Sequence, residues 1–481
     1  MAKKSLKINA VLSGIKQCCV IIFPLITFPY ISRILGSEGF GKYSFSYSVV
    51  SYFLLIAALG INTYAIREGA KIREDENRIR EFASQLFSIN LCSVLLSYIL
   101  LGLTIAFSTK IQSYAPYILI QSVIMILVAI GTDWINSIYE DFFYITVRYI
   151  LMQIVAIFMM FTFVRTSSDV VAYCIISVLA TSGGNLLNIF YVRKYVRFNF
   201  TFHMNVKTHI IPLMILFINS VAITIYVNSD ITMLGFYYDD NVVGVYSFAS
   251  KIYSIIKQLV NAIVVVSLPR IAYIVKNQSN QYKSYMDKIF WALSVALLPI
   301  VAGTLSMSNT IIQIAGGEEY VSGNYALDIL SIALIFAILA SFFTNCVLII
   351  YNQERKCLQA TIVSALINVG LNFALLPKIG ITGAAITTVI AEATNCFIQM
   401  KFAKKYFDWK KLKIKSLFPY LLGAGLIFFV CTFCNIYLEN IYIRMITALV
   451  ASSIIYGIVL LLNGKTFFIS IIIQIMNRIK R

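Results

Sequence analysis

Residues 441–462 read IYIRMITALVASSIIYGIVLLL, an apolar run whose only charged residue is Arg444. An α-helix rises about 1.5 Å per residue, so this run would extend about 30 Å, which matches the hydrocarbon thickness of a bilayer. The run therefore predicts a transmembrane helix.

The rest of the chain repeats this pattern. Of its 481 residues, 59% are hydrophobic and 12% are charged, whereas soluble domains contain about 25% charged residues. This composition excludes a series of soluble domains, and the long unbroken runs exclude a β-barrel, whose strands are short and alternating. We predict an all-α polytopic membrane protein with about 14 transmembrane helices. The predicted spans are 8–35, 42–66, 82–107, 114–138, 142–164, 170–192, 210–235, 242–268, 289–312, 325–350, 357–376, 381–402, 414–434 and 441–462.

The basic residues are distributed unevenly between the connections. The chain has a net charge of +18, but the N-terminus and every second connection hold 29 Lys and Arg against 4 in the other connections. This asymmetry is the orientation signal of membrane proteins, and it predicts that both termini are cytoplasmic. It accounts for the charge without nucleic acid as a partner. The first apolar run, from about Ile8, is too long for a signal-peptide core and is expected to be a retained span.

The cysteines and histidines do not indicate a metal or redox centre. Nearly all nine cysteines lie in apolar runs, where a thiol behaves as a small hydrophobic group. Both histidines fall in a single connection, so ligand spacing for zinc is missing from the sequence. The segment 464–466 (GKT) resembles the end of a phosphate-binding loop, but Val459 stands where that motif needs glycine. We therefore predict no cofactor.

A short internal similarity indicates two related bundles. The segment 41–45 (GKYSF) is echoed by 244–248 (GVYSF), each opening a span near its outer end. Six spans per copy keep both copies parallel. We predict an N-lobe at 1–200 (spans 1–6), a C-lobe at 205–405 (spans 7–12) and spans 13–14 at 410–464. The tail, 465–481, places its polar residues on one helical stripe and is expected to lie in the cytoplasmic interface.

Several ionisable residues fall deep within the predicted spans. Such groups are costly in a membrane and face either a cavity or a charged partner. An apparent excess of cations among them favours an anionic cargo. For Arg148 and Asp133, near the inner ends of their spans, snorkelling or a structural ion pair is the favoured interpretation.

These residues supply the candidate site. We predict that pyrophosphate and sugar bind in a cavity lined by Lys16, Tyr30, Arg33, Lys251, Lys257, Gln258 and Asn261. We predict that ion coupling uses Glu392 and Asp230. A structural ion pair remains the alternative for Lys16, Lys251, Lys257 and Glu392. For Arg33 and Asp230 a structural role is the favoured interpretation. The outer connections are too short to hold a catalytic domain, so we predict that the protein is not an enzyme.

The first span pair carries a recognisable motif. Residues 29–36 (PYISRILG), followed by 39–43 (GFGKY) and 65–68 (AIRE), resemble the opening of bacterial polysaccharide repeat-unit flippases. These O-antigen and capsule transporters belong to the multidrug/oligosaccharidyl-lipid/polysaccharide exporter superfamily. The motif covers about 45 residues, and the span count extends a looser resemblance along the whole chain.

The resemblance implies two six-helix lobes around a central cavity, followed by a final helix pair. It also implies that an undecaprenyl-pyrophosphate-linked oligosaccharide moves from the inner to the outer leaflet of the bacterial plasma membrane by alternating access, driven by an ion gradient or the membrane potential. The expected partners are this lipid-linked oligosaccharide, membrane lipids and the polysaccharide polymerase machinery.

Three other functions stay open at this point. A cation-coupled multidrug antiporter would use acidic coupling residues in the first lobe, whereas Glu392 lies in the second. A flippase for the peptidoglycan lipid precursor has the same overall design. A membrane-embedded sugar-polymer enzyme is disfavoured by the short outer connections.

Overall fold

Every regular element in the described part of the chain is a helix. The structure is a computed structural model that describes residues 6–277, 279–407 and 417–462; side chains are described within these ranges except at 6–11, 269, 272, 276–277 and 279–280. The predicted interfacial tail at 465–481 lies outside the described residues. The chain divides into two compact units, Met1–Gly244 and Val245–Arg481.

The first unit contains ten helices and the start of an eleventh. They are α1 (Leu6–Ala58), α2 (Ile61–Ile72), α3 (Glu76–Phe107), α4 (Thr109–Gln112), α5 (Ala115–Gly131), α6 (Asp133–Ile138), α7 (Phe142–Phe163), α8 (Val170–Val178), α9 (Gly184–Tyr191), α10 (Val206–Tyr237) and the first residues of α11 (Asp240–Asn277). A π-helical turn, Leu179–Gly183, joins α8 to α9, and a 3₁₀ turn, Val192–Lys194, follows α9.

The second unit continues from α11. Its helices are α12 (Ser279–Gly316), α13 (Asn324–Phe342), α14 (Glu354–Ala403), α15 (Phe418–Tyr437) and α16 (Ile441–Leu462). A 3₁₀ segment, Glu318–Gly323, precedes α13, and a π-helical turn, Phe343–Leu348, follows it.

Two helices are far too long for one crossing, and each is broken at a glycine. Helix α1 has 53 residues, and its helical geometry fails at Gly36 (φ 67°, ψ 179°). Helix α14 has 50 residues, and its geometry fails at Gly380 (φ 53°, ψ −131°). Both backbones have the positive φ that only glycine adopts freely. Each half has the length of one span. Within the described residues, eleven helical segments are long and apolar enough to cross a membrane. Dividing α1 and α14 at their glycines and adding the 17-residue apolar helix α5 gives fourteen spans.

The surface of these helices is that of a membrane protein. Large apolar side chains are widely exposed, among them Phe107, Phe429 and Leu462. A water-soluble protein does not present apolar surface on this scale, so these faces contact lipid. The predicted multi-pass, all-helical class is thus confirmed.

Two predicted spans have the wrong boundaries. The second was expected to run to residue 66, but its helix ends at Ala58 because Leu59 and Gly60 both take left-handed conformations (φ 45° and 70°). The fourth was expected to be continuous over 114–138, but Thr132 (φ 45°) breaks it into α5 and α6. A glycine adjoins each break, at positions 60 and 131, but Leu59 and Thr132 are not residue types that favour the left-handed conformation.

The two copies of the internal similarity have matching surroundings. Phe45 packs on Tyr114, just before α5, with ring centroids 4.7 Å apart. Phe248 packs on Tyr320, just before α13, at 4.2 Å. Helices α5 and α13 are the fourth and tenth spans, which is the correspondence that an internal repeat predicts. The compact-unit boundary falls after α10, so the lobe limits at 200–205 stay a prediction.

Candidate functional site

In the second unit, Lys257 and Glu392 form a hydrogen-bonded ion pair within the membrane-spanning helices. The Lys257 Nζ atom of α11 lies 2.6 Å from Glu392 Oε1 of α14. Tyr253, one turn before Lys257, donates its hydroxyl to the same oxygen at 2.9 Å. The Glu392 side chain is only 3% exposed, whereas that of Lys257 is 34% exposed. Burial of this carboxylate is tolerated because a cation and a phenol both bind it.

Lys251 has no such partner. It lies on α11, 11 residues after Asp240 at the start of the helix, or about 16 Å along the axis. Its side chain is exposed, and no carboxylate in the described ranges forms an ion pair with it. An unneutralised ammonium at this depth attracts an anion.

The other predicted residues of α11 lie near this pair. Gln258 is exposed and donates a long hydrogen bond (3.4 Å) to Ser254. Asn261 accepts a hydrogen bond from Ser341 of α13. The π-helical turn that follows α13 places Thr344 in a hydrogen bond to Gln399 of α14. A polar layer therefore continues from Lys257 toward the end of α13.

The first unit contains a second polar cluster, for which the sequence favours only a structural pair. Arg148 of α7 is 7% exposed, and its Nη2 atom lies 2.7 Å and 2.8 Å from the two carboxylate oxygens of Asp133. Asn188 of α9 donates to Asp133 Oδ1 at 2.9 Å and to the Gly131 carbonyl. Asn136 in turn donates to Asn188 Oδ1 at 2.6 Å.

Irregular backbone brings the members of this cluster together. The left-handed Thr132 interrupts the fourth span directly before Asp133 and leaves the Gly131 carbonyl to accept from Asn188. On the facing span, the π-helical turn Leu179–Gly183 directly precedes Gly184. Strained residues and π-helical turns both concentrate at functional sites.

Two glycines make room for its side chains. A Cβ atom on Gly184 would lie 3.0–3.1 Å from three side-chain atoms of Arg148. A Cβ atom on Gly131 would lie 2.5–2.8 Å from three side-chain atoms of Asn185. The cluster therefore depends on small residues on both spans.

Three buried polar atoms of this cluster lack hydrogen-bond partners within the described structure. They are Arg148 Nη1, Asn136 Oδ1 and Thr132 Oγ1. Asn136 and Thr132 are 0% and 1% exposed. Buried polar groups are almost always hydrogen-bonded, so three unpaired atoms in one place indicate a position for a bound molecule or water.

The remaining predicted residues of the first unit are more dispersed. Lys16 of α1 is half-buried, interacts electrostatically with Asp133 and Arg148, and lies 5.6 Å from the centroid of the Tyr149 ring. Tyr30 donates its hydroxyl to the Val164 carbonyl at 2.8 Å, so that hydroxyl is engaged at the end of α7.

Arg33 is exposed, whereas Asp230 is 5% exposed on α10. The contacts that define the Arg148 cluster include neither residue. Their roles in substrate binding and ion coupling stay predictions.

An aromatic and charged rim lies beside the Arg148 cluster. Asp141, which is buried, accepts hydrogen bonds from the hydroxyls of Tyr191 (2.7 Å) and Tyr195 (2.6 Å) and pairs with Lys194 (3.3 Å). Burial, together with the hydrogen bond to the Asp141 carboxylate, raises the pKa of Tyr195. Tyr191 stacks on Tyr144. This rim fixes the ends of α7 and α9 and so holds Arg148 in place.

The chemistry of these clusters is that of binding. Both contain cations, amides and phenols, and no group of three or more His, Cys, Asp or Glu within the described ranges could hold a metal ion. Guanidinium and ammonium groups bind phosphate oxygens, while amides and phenols bind hydroxyl groups.

Comparison with known proteins gives consistent similarities. A protein family described as polysaccharide biosynthesis protein matches residues 7–275. A protein of Escherichia coli (strain K12), described as a candidate O-antigen transporter, is 24% identical over 421 residues, which cover 84% of this chain and 97% of that protein.

Two solved structures show the fold. The lipid II flippase MurJ in an inward closed conformation has a TM-score of 0.67 and 19% identity, covering 91% of this chain and 98% of its own. An inward-facing multidrug resistance transporter of the MATE family has a TM-score of 0.58 and 16% identity, covering 83% and 98%. The protein therefore has the two-lobed fold of these transporters.

Proposed function

The chain belongs to the polysaccharide biosynthesis protein family, and from that membership we propose that it is a flippase for lipid-linked oligosaccharides. The cargo is an undecaprenyl-pyrophosphate-linked repeat unit, carried from the inner to the outer leaflet of the bacterial plasma membrane by alternating access. The relatives and the family are transporters, so the protein is a membrane transporter and not an enzyme.

The observation that carries the proposal is Lys251. Its ammonium is exposed at depth on a spanning helix without a carboxylate partner among the described residues. A diphosphate carries the opposite charge, and its desolvation during transfer is offset by charge-assisted hydrogen bonds. Lys257 does not compete for this role because Glu392 already neutralises it.

The direction and driving force form part of the same proposal. The bias of Lys and Arg toward alternate connections supports a cytoplasmic position for both termini. Glu392 and Asp230 are the carboxylates proposed to couple transport to an ion gradient. The polymerase machinery would receive the flipped repeat unit.

Complementation of a strain lacking its own repeat-unit flippase tests the proposal. Lys251→Ala should reduce surface polymer at least tenfold at normal protein level, because a lost charge-assisted contact costs about 1.5–3 kcal/mol. Lys251→Arg, which keeps the charge, should retain most activity. Lys42→Ala, which removes a cation paired with the exposed Glu38, is the matched control.

Full polymer production by Lys251→Ala would refute the role of this lysine. The lipid-linked intermediate that accumulates when the gene for this protein is deleted distinguishes the proposed function from a peptidoglycan-precursor flippase and from a drug exporter. A lipid-linked oligosaccharide is expected, whereas accumulation of the peptidoglycan precursor, or drug sensitivity without any lipid intermediate, would refute the proposed cargo.

A further inference from the structure

The cluster around Arg148 has the properties of an anion-binding site in which the Asp133 carboxylate occupies part of the position of the anion. Arg148 has five N–H donors in a planar fork, and Asp133 engages Nη2 through both of its oxygens. The Nη1 atom is buried and has no partner in the described structure. The two N–H donors of Nη1 are therefore uncommitted, while the guanidinium carbon lies 5.5 Å from the centroid of the Tyr144 ring.

The charge balance of the cluster favours an anion. Lys16 and Arg148 are cationic and Asp133 is anionic, which leaves one net positive charge among three interacting groups. A buried positive site of this kind attracts anions, and the arginine fork matches the oxygen spacing of phosphate.

The site opens on one side. Arg148 is 7% exposed, but the Asp133 side chain is 42% exposed. On α1, the residues Ser13, Gly14 and Gln17, which flank Lys16, are exposed. A Cβ atom on Gly14 would meet nothing within 4 Å. An incoming group can therefore approach from the side of Lys16 and Asp133 without crossing packed helices of this unit.

We propose that Arg148 and Lys16 bind a phosphate-type anion in the first unit, and that Asp133 occupies part of this position when the anion is absent. The arriving phosphate oxygens accept hydrogen bonds from Nη1 of Arg148 and from the Lys16 ammonium, and they displace Asp133 from Nη2. Thr132 Oγ1 donates a further hydrogen bond. Asn136 Oδ1 accepts one from a water or a phosphate hydroxyl. All three unpaired buried atoms are then satisfied.

That the anion is the diphosphate of the cargo rests on the proposed function. That Arg148 and Lys16 bind a phosphate-type anion does not depend on it. An anionic phospholipid headgroup offers the same oxygens. The experiment must therefore measure binding on the purified full-length protein and include both sources.

Inorganic pyrophosphate is the first probe. The melting temperature of the protein in an uncharged detergent should rise by at least about 2 °C on saturation with pyrophosphate at constant ionic strength, and not with an equivalent concentration of chloride. Asp133→Asn keeps the size of the side chain and removes the competing charge, so it should tighten the apparent pyrophosphate affinity about tenfold. A purely structural role for Asp133 predicts no such tightening.

Substitutions that remove Arg148 or Lys16 should weaken pyrophosphate binding, the opposite of the effect of Asp133→Asn. Arg148→Gln combined with Asp133→Asn removes both members of the ion pair together, and it should abolish the pyrophosphate effect. Lys16→Gln should weaken it severalfold while keeping the Arg148–Asp133 pair. Lys71→Gln, on the exposed face of α2, removes one cation elsewhere in the same unit and should change nothing.

The outcomes separate the two sources and the two proposals. Weaker or unchanged binding by Asp133→Asn, or retention of the pyrophosphate effect by the Arg148→Gln/Asp133→Asn variant, would overturn the anion site. In nanodiscs, an Arg148-dependent stabilisation by phosphatidylglycerol over phosphatidylcholine, without any response to pyrophosphate, would assign the site to a lipid headgroup and overturn the diphosphate. Complementation by Lys251 variants tests the flippase separately, because it does not depend on this binding measurement.

Discussion

At the scale of single residues, the two lysines of α11 are chemically alike but differ in their surroundings. Lys257 is bonded to a buried carboxylate, whereas Lys251 is exposed without an ion-pair partner in the described ranges. The same substitution at the two positions should therefore have different consequences for stability and for transport.

Lys257→Met should destabilise the protein because it leaves Glu392 buried without its cation. Breaking a buried ion pair costs about 3–5 kcal/mol, and the partial exposure of Lys257 reduces the expected loss to about 2 kcal/mol. Lys257→Met with Glu392→Gln should recover more than half of the loss. Thermal unfolding in detergent measures both effects.

Lys251→Met is the matched control for that series. It removes an identical side chain from the same helix without leaving a carboxylate unpaired, so its melting temperature should stay within about 1 °C of the wild type. Equal destabilisation by both single substitutions would show that the Lys257–Glu392 pair has no special structural role.

At the scale of helices, a close approach joins the second half of α1 to the start of α11. A Cβ atom on Gly41 would overlap the carbonyl oxygen of Asp240 and lie 3.0 Å from the Gly244 nitrogen. A Cβ atom on Gly244 would overlap the carbonyl oxygen of Ser37. Tyr114 also donates a hydrogen bond to the Asp240 side chain. Backbone atoms cannot yield as flexible side chains do, so both glycines are required.

Gly41→Ala should lower stability by about 1–3 kcal/mol, because the added methyl group forces α1 and α11 apart. Gly102→Ala on α3 provides the control, because nothing lies within 4 Å of the new methyl group. There, alanine should be neutral or stabilise by up to about 1 kcal/mol through its helix propensity. A melting temperature for Gly41→Ala as high as that of Gly102→Ala would contradict the close approach.

The helices themselves were largely predictable, whereas their irregularities were not. The fifth span was predicted at 142–164 and α7 runs over Phe142–Phe163, since polar connections bound a continuous apolar run. Thr132, and not the neighbouring Gly131, takes the left-handed conformation that breaks the fourth span. The π-helical turn at Leu179–Gly183 has no sequence signature. These two breaks shape the Arg148 cluster, so the cluster was not predictable as a site.

The ion pairs show a related limit. Lys257 and Glu392 were both expected to be important, but their contact joins positions 135 residues apart. One sequence contains no information on which cation a deep carboxylate will meet. Arg148 and Asp133 were expected either to snorkel or to pair, and the unpaired buried atoms around them become visible only when Asn136 and Asn188 are placed in space.

At the scale of the whole molecule, the distribution of basic residues predicts which connections face the cytoplasm. Alkaline phosphatase fused after Ser168 or Asn440 should be active, because this enzyme requires export. Fusions after Asn199 or Asn352 should be inactive there, while green fluorescent protein at the same positions should fluoresce. The physical reason is that connections rich in Lys and Arg resist translocation.

The reporters also test the even span count. An active phosphatase after Asn352 would contradict the alternation of the connections, and with it the cytoplasmic position of both termini. A matched pair of reporters at each of the four sites controls for expression, because one of the two should give a signal at every position.

The matching ring pairs, Phe45 with Tyr114 and Phe248 with Tyr320, bear on the ancestry of the chain. If one ancestral gene duplicated and fused, the two halves of the chain have since diverged in most of their residues. Packing would then have retained these aromatic pairs in both halves. Alignments of the two halves anchored at these aromatic couples should then reveal further pairs of equivalent positions. A gene that encodes only one half would represent the form of the protein before the duplication.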